Sequence, residues 1–267
     1  MAQTLSPTPR YIYVHSSEQI SPHLQRIYFS SDDFSDFPLD QNGAHIKLFF
    51  PEQPELKPQL PIRDALGKVM WTEGKKPVTR TYTIRQFLEQ QQLLIIDFVR
   101  HEEFGIAADW AIQAQPGHVL GLAGPGGPKR FNSNANYWIF IGDLSALPMI
   151  SASLEQLPKH AHGQIWIEID DKADQVEFIY PPSMQLHWVI KDQEIETKII
   201  NSLKHLDWNS KQISVSLAGE NTRVVSLRHI FKNQFKLPKS HLYAVPYWKQ
   251  GENEEGYHQE RHRVMDE

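Results

Sequence analysis

From Tyr137 onward the chain alternates short apolar runs with helix-like segments, and that rhythm admits few folds. Residues 137–141, 164–169, 185–190, 213–217 and 241–245 read as strands, and 145–157, 194–206 and 222–235 as helices. Parallel strands need a long crossover to bring the chain back to the same end. A regular strand–helix alternation therefore predicts an open parallel sheet of an α/β domain. Ligands of such sheets lie beyond the carboxyl ends of the strands.

The first half keeps a different rhythm. Ala44-His45-Ile46-Lys47-Leu48-Phe49-Phe50 is a strand closed by Pro51, and a loop rich in Pro, Glu and Lys runs to about Pro77. Segments 80–85, 93–99 and 118–122 are short strands bounded by turn formers, with one evident helix at about 105–114. This pattern predicts a small antiparallel β-barrel. Gly124-Pro125-Gly126-Gly127-Pro128 ends the half, and Asn132-Ser133-Asn134 reads as a linker, which sets the expected domains at 1–133 and 134–267. The tail from Gln250 is polar, and no internal repeat is visible. A barrel followed by an α/β domain suits two cofactors, one held by each half.

Composition narrows the chemistry. At 267 residues, 22% charged and 40% hydrophobic, the chain is an ordinary globular protein with room for two domains. A net charge of −5 gives no global field for nucleic acid or an anionic membrane. The absence of cysteine excludes disulfides, thiolate metal sites, cysteine-ligated clusters and cysteine nucleophiles. Electron chemistry would need a bound organic cofactor or a metal carried by the substrate. The first thirty residues hold no apolar stretch of a secretory signal, and no run approaches the ~18 residues of a spanning helix. A cytoplasmic protein is expected. His160 and His162 flank Ala161, and His258 and His262 are four apart; neither pair has a convincing third ligand, and no resident metal is expected.

Arg80-Thr81-Tyr82-Thr83-Ile84-Arg85 carries the most specific chemistry. A guanidinium meets a pyrophosphate, a phenol ring covers an isoalloxazine, and a small hydroxyl reaches a ring nitrogen. Arg80, Tyr82 and Thr83 together therefore suit a flavin, with Thr83 the candidate for a hydrogen bond at N5. The competing reading is an ordinary barrel strand, since Thr and Tyr are good strand formers. Asp97 and His101 each lie two residues from Val99 and so share its strand face. They are candidate contacts for the ribityl or adenine part of the cofactor, or simply a strand-end charge and a solvated histidine. Gly105, Ile106, Ala107 and Ala108 open a helix, where backbone N–H groups suit phosphates and where small residues also suit plain packing. Trp110 reads as a packing residue. Gly142-Asp143 follows the first apolar strand of the second half, where a nucleotide would lie, without being a GxGxxG fingerprint. Glu220 follows another strand end and could face a nicotinamide or cap the next helix.

Taken in order and spacing, several segments resemble the siderophore-interacting protein family, the ferric-siderophore reductases among the ferredoxin reductase-like flavoproteins. They are Ala44-His45-Ile46-Lys47-Leu48, Arg80-Thr81-Tyr82-Thr83-Ile84-Arg85, Ile96-Asp97-Phe98-Val99-Arg100-His101 and Ala107-Ala108-Asp109-Trp110-Ala111. Gly124-Pro125-Gly126-Gly127, Gly142-Asp143-Leu144-Ser145-Ala146-Leu147-Pro148, Ala218-Gly219-Glu220 and Tyr247-Trp248-Lys249-Gln250-Gly251 complete the set. The resemblance implies FAD in the barrel, held by Arg80, Tyr82, Thr83, Ile84, Asp97, Val99, His101, Gly105, Ile106, Ala107 and Ala108. It implies NADH, NADPH or reduced ferredoxin as electron source, with Gly142, Asp143, Ser145, Ala146 and Glu220 toward the nucleotide. It implies a ferric siderophore as substrate, met by Lys47, Lys249 and one of Lys129 and Arg130. Neither nucleic acid nor membrane insertion is implied.

Two positions depart from the family pattern. Leu144-Ser145 stands where an acidic residue and threonine are usual, and Lys249 stands where arginine is common, keeping the charge without the planar fork. A general NAD(P)H:flavin or ferredoxin-type reductase and a non-catalytic siderophore-binding protein are the other readings. NADH is expected over NADPH, because Asp170-Asp171 end the second strand of the α/β half, where an acid binds a ribose 2′-OH and repels a 2′-phosphate. Lys159 and Lys172 argue the other way.

Overall fold

The computed structural model describes residues 8–53, 55–64, 68–72, 76–101, 105–192, 194–208, 212–252 and 256–257. The chain divides into two compact units, Met1–Pro128 and Lys129–Glu267.

In the first unit the strands are β1 (Arg10–Ser21), β2 (Leu24–Ser30), β3 (His45–Phe50), β4 (Ile62–Arg63), β5 (Val69–Met70), β6 (Val78–Thr83), β7 (Gln86–Leu88), β8 (Leu93–Val99) and β9 (Val119–Gly126). Helix α1 (Ile106–Ile112) connects β8 to β9. Seven of the strands form one antiparallel sheet in the order β6-β3-β9-β1-β2-β8-β7, and β4 pairs with β5 in a separate small ladder. The two edge strands, β6 and β7, are joined by Ile84 and Arg85 alone. The sheet must therefore curl until its edges meet, which gives the barrel its shape although no ladder joins β6 to β7 among the described residues. Ile84 holds the joint: its N–H donates to Ala44 at 2.9 Å and its carbonyl accepts from Gly43 at 2.7 Å.

Alternation fills the barrel. Ile12 and Val14, Ile27 and Phe29, Ile46, Leu48 and Phe50, Leu94, Ile96 and Phe98, and Leu120 and Leu122 all enter one core. Burying each such side chain stabilises the fold by roughly 1.5–3 kcal/mol. Helix α1 adds Ala107, Trp110 and Ala111 to that core, the Trp110 ring stacking 6.3 Å from Phe29. Strands β1 and β2 lie in a stretch to which the sequence reading assigned no strand. Strand β9 runs past 118–122 to Gly126; the register between β3 and β9 shifts between His45 and Lys47, which leaves Pro125 outside the ladder where its missing N–H does no harm.

In the second unit β10 (Tyr137–Asp143), β11 (Gly163–Ile169), β12 (Met184–Ile190), β13 (Ile213–Glu220) and β14 (Leu242–Trp248) form a parallel sheet in the order β12-β11-β10-β13-β14. The helices are α2 (Leu147–Leu154), α3 (Ile195–Leu203) and α4 (Asn221–Asn233). These are the strands and helices expected from the alternation, with ends moved by a few residues. Helix α2 starts later than 145 because the Asp143 carboxylate organises residues 143–146 as a turn, and Pro148 then fits the first helical turn. Ile195, Ile199 and Leu203 of α3 and Val224, Leu227 and Phe231 of α4 repeat at helical spacing and pack on Ile139, Ile141, Val215 and Leu217. The chain leaves β10 for β11 and β12, then returns to the other side of β10 for β13 and β14. The carboxyl ends of β10 and β13 thus flank the point where strand order reverses.

Among the described residues no helix is long and apolar enough to cross a membrane, and no group of three His, Asp or Glu side chains could hold a metal. His258 and His262 lie outside the described residues.

Candidate functional site

The flavin candidates of β6 are sorted by its pairing with β3. The register is Leu48↔Arg80, Ile46↔Tyr82, Lys47↔Thr81 and His45↔Thr83. Ile46 and Leu48 point into the core, so Tyr82 and Arg80 share the inner face, while Thr81, Thr83, His45 and Lys47 share the outer one. The Tyr82 ring lies 4.4 Å from Phe98, and the half-buried Arg80 donates one N–H to the Thr79 carbonyl at 2.9 Å. Thr83 is only 6% exposed, yet its hydroxyl has no hydrogen-bond partner among the described residues. The hydroxyl oxygen itself is not sealed from solvent, so it can meet an acceptor brought by a ligand. Trp110 Nε1 is fully buried and has no partner among the described residues. An inner phenol, an always-charged guanidinium and an unbonded hydroxyl on a buried threonine within four residues fit a flavin.

Lys47 belongs to the same outer face. Its Nζ donates to Thr81 Oγ1 at 2.5 Å. Thr81 and Thr83 are two residues apart on one strand face, about 7 Å. The ammonium group of Lys47 therefore stands beside the residue bearing the unbonded hydroxyl.

Asp97 lies on the outer face of β8 with Val99 and, beyond the strand, His101. Its carboxylate is held by a residue that sequence reasoning missed: Arg26, its partner in register on β2. Arg26 donates from Nε to Oδ1 at 2.7 Å and from an Nη to Oδ2 at 2.8 Å, a bidentate pair. Any ribityl or adenine contact at Asp97 meets a carboxylate already neutralised. His101 is brought against Gly105, where an added Cβ would lie 2.5 Å from the imidazole. Gly105 is the extended N-cap of α1, and its N–H donates to the Asp109 carboxylate at 3.3 Å. Ala107 and Ala108 are buried and Ile106 is exposed. What the start of α1 can offer a phosphate is thus backbone only.

In the second unit the nucleotide candidates converge on Asp143, at the carboxyl end of β10. Oδ1 accepts from Ser145 N at 2.9 Å, Ser145 Oγ at 2.5 Å and Ala146 N at 3.3 Å. Oδ2 accepts from Glu220 N at 2.9 Å and Trp248 Nε1 at 2.8 Å. Burial pushes this carboxyl's pKa up, and the five donors pull against it. Gly219, at φ +129°, makes room, since an added Cβ would lie 2.5 Å from Oδ2; at Gly142 one would strike Ala146 Cβ at 2.5 Å. Ser145, part of the Leu144-Ser145 departure from the family pattern, supplies two of the five donors, its N–H and its hydroxyl. The Glu220 side chain caps α4, accepting from Thr222 N at 2.6 Å and Arg223 N at 3.2 Å.

The same end of the sheet carries an ion-pair network absent from the sequence reading. Arg223 pairs with Glu168 of β11 at 3.2 Å and Glu196 of α3 at 2.9 Å. Burial raises the pKa of Glu168 and Arg223 opposes that. Asp170 stands 3.9 Å from Lys191, and Asp171 caps the 3-10 turn Lys172–Asp174 through Ala173 N at 2.8 Å.

The remaining cations lie elsewhere in this unit. Lys129 is exposed, whereas Arg130 is half-buried, its carbonyl fixed by Ser216 Oγ at 2.7 Å. Arg130 stands near Tyr243, whose hydroxyl meets that of Tyr247 at 3.3 Å. Lys249 directly follows Trp248.

Comparison with known proteins identifies the family. The family model described as siderophore-interacting FAD-binding domain matches residues 13–129, and the one described as siderophore-interacting protein matches 135–251. The ferric vibriobactin reductase ViuB of Vibrio cholerae is 43% identical over 97% of this chain and 96% of its own. The NADPH-dependent ferric-chelate reductase of Escherichia coli is 29% identical over 90% of this chain and 92% of its own. The crystal structure of the siderophore-interacting protein SipS from Aeromonas hydrophila superposes with a TM-score of 0.82 at 33% identity, covering 97% of this chain and 99% of that one. The order of the segments, the barrel with its Arg80-Tyr82-Thr83 strand and these matches have one meaning: the chain belongs to the siderophore-interacting protein family, with an FAD-binding domain in its first half.

Proposed function

We propose that this protein is an FAD-dependent ferric-siderophore reductase that takes electrons from NADH or NADPH and gives them to chelated iron(III). One observation carries the reading: Thr83, whose hydroxyl is unbonded among the described residues, shares the outer face of β6 with Thr81, which holds the ammonium of Lys47. FAD, when bound, would supply the conversion of a hydride's electron pair into single electrons. The chain's own residues would hold and orient it. Arg80 would hold the pyrophosphate, Tyr82 would cover one ring face, and Thr83 would donate its hydroxyl hydrogen at N5. Lys47 attracts an anionic chelate without ligating its iron. Hard iron(III) is held tightly by oxygen ligands and iron(II) weakly, so one electron opens the chelate. No side chain need act as general acid or base. The names borne by the Vibrio and Escherichia relatives support this substrate class. The reading places the reaction in the cytoplasm, with reduced ferredoxin as an alternative donor.

Steady-state rates with ferric siderophores against quinone and dye acceptors separate this reading from a general flavin reductase. Purification without flavin but with retained chelate binding would favour a binding protein. Lys47→Ala and Lys249→Ala are each expected to raise KM for an anionic ferric siderophore about 2- to 5-fold, the size of an exposed charge pair. The increase should shrink at high salt. Flavin reduction by nucleotide should stay at the wild-type rate. Equal effects on anionic and neutral chelates would remove the cations from substrate binding.

A further inference from the structure

Trp248 is placed unusually for the last residue of an edge strand. β14 lies at the edge of the sheet, yet the indole Nε1 reaches across the end of β13 to Asp143 on the central strand β10. A one-residue shift in register makes this possible. Gly219 pairs with Pro246, but Glu220 pairs with Trp248, so Tyr247 is the extra residue and Trp248 is re-aimed. Gly219 contributes by lacking a Cβ where the Asp143 carboxylate sits. On its other side the indole has Lys191, whose Nζ stands 5.8 Å from the ring centroid although it follows β12 at the opposite edge. The ring therefore lies over the carboxyl ends of the strands, at the reversal of strand order, and is 36% exposed. An aromatic ring partly open to water there, oriented by a buried carboxylate and stacked on no other ring among the described residues, has the position of a ligand's stacking surface rather than of core packing.

We infer that Trp248 is the surface on which a ring of the pyridine nucleotide stacks, with Lys191 beside it as the cation for a nucleotide phosphate. Asp143 acts as a positioning residue, fixing the indole through Nε1. The inference rests on the reading of this protein as an NAD(P)H-dependent enzyme, and it goes further by naming the residue that touches the nucleotide.

The test reads binding rather than turnover. The holoprotein is labelled with ¹⁵N-tryptophan, which gives one indole N–H signal for each of its seven tryptophans, and Trp248→Phe identifies the signal of Trp248. Oxidised NADP⁺ and NAD⁺ are then added while calorimetry measures their Kd. The Trp248 signal is expected to move with the saturation curve given by calorimetry. In parallel, Trp248→Leu is expected to raise that Kd about 2- to 13-fold, the range of a single aromatic pair, with FAD content unchanged. Trp248→Phe, which restores a ring, should recover part of the loss. A Trp248 signal that stays put at saturating nucleotide overturns the inference, as does wild-type or tighter binding by Trp248→Leu; tighter binding would mean that the indole obstructs the site. No binding heat together with no flavin reduction by either nucleotide would overturn the nucleotide reading itself, and the Trp248 assignment with it. The signal shift in the wild-type protein decides the matter even if Trp248→Leu fails to fold.

Discussion

Replacing Arg80 by alanine will weaken FAD binding roughly 10- to 150-fold while the barrel stays folded. A hydrogen bond to a charged group is worth about 1.5–3 kcal/mol, which converts to that range of Kd. Arg80 shares the inner face of β6 with Tyr82, whose ring is already fixed against Phe98. The arginine is half-buried and not part of the packed core, so its loss should remove a phosphate contact without opening a cavity. Titration of apoprotein with FAD, followed by quenching of flavin fluorescence, measures the change. Arg80→Lys should fall between wild type and Arg80→Ala, because lysine keeps the charge without two parallel donors. Wild-type FAD affinity in folded Arg80→Ala would remove the assignment.

Asp143→Asn will lower the stability of the second unit by about 2–4 kcal/mol. All five groups that meet this carboxylate are donors. An asparagine can turn its oxygen toward Ser145 and Ala146, but its NH2 then faces Glu220 N–H and Trp248 Nε1–H. Two donors lose their acceptor, the part-buried Glu220 N–H at about 1–3 kcal/mol and the indole N–H of the partly exposed Trp248 at the low end of that range, about 1 kcal/mol. Each kcal/mol should lower Tm by about 2–4 °C for a unit of this class, so a fall of roughly 5–15 °C is expected by calorimetry. FAD content should be retained, since the FAD-binding domain is the first unit. Nucleotide affinity should fall as well, because Trp248 loses the bond that orients it. An unchanged Tm would show that the carboxylate does not organise the carboxyl end of the sheet.

The two tests draw on different kinds of sequence signal. Arg80, Tyr82 and Thr83 are adjacent, and a strand's alternation is enough to sort them onto faces, so their chemistry was legible locally. The strand 93–99 was also legible locally, as a short, nearly continuous apolar run bounded by turn formers. Strands β1 and β2 were not. The register of β1 shifts between Val14 and Ser16 and again between Gln19 and Ser21, and each shift breaks the period-two pattern that marks a strand. On β2, adjacent Leu24 and Gln25 are both buried, which hides the alternation of Ile27 and Phe29.

The groups that complete the sites come from far along the chain. Arg26 holds Asp97 from 71 residues away, and Trp248 holds Asp143 from 105 away. No local pattern encodes either pairing; both follow from strand order, which brings β2 beside β8 and the end of β14 across β13. Glu220 shows the complementary case. Its position before Thr222 fitted a cap and a nucleotide contact equally well, and the side-chain geometry of α4 gives the cap.

The most direct test of the account is anaerobic. Holoprotein is reduced with a limiting amount of NADPH or NADH until the oxidised flavin spectrum bleaches, then mixed with a ferric siderophore and an iron(II)-specific chromogenic chelator. Balance requires two iron(III) reduced for each hydride delivered. The account predicts that the flavin spectrum recovers as iron(II) appears, in a ratio of about two iron(II) per nucleotide oxidised. A flavin that stays reduced in the presence of the ferric siderophore, yet reoxidises promptly with a quinone or dye, would contradict it.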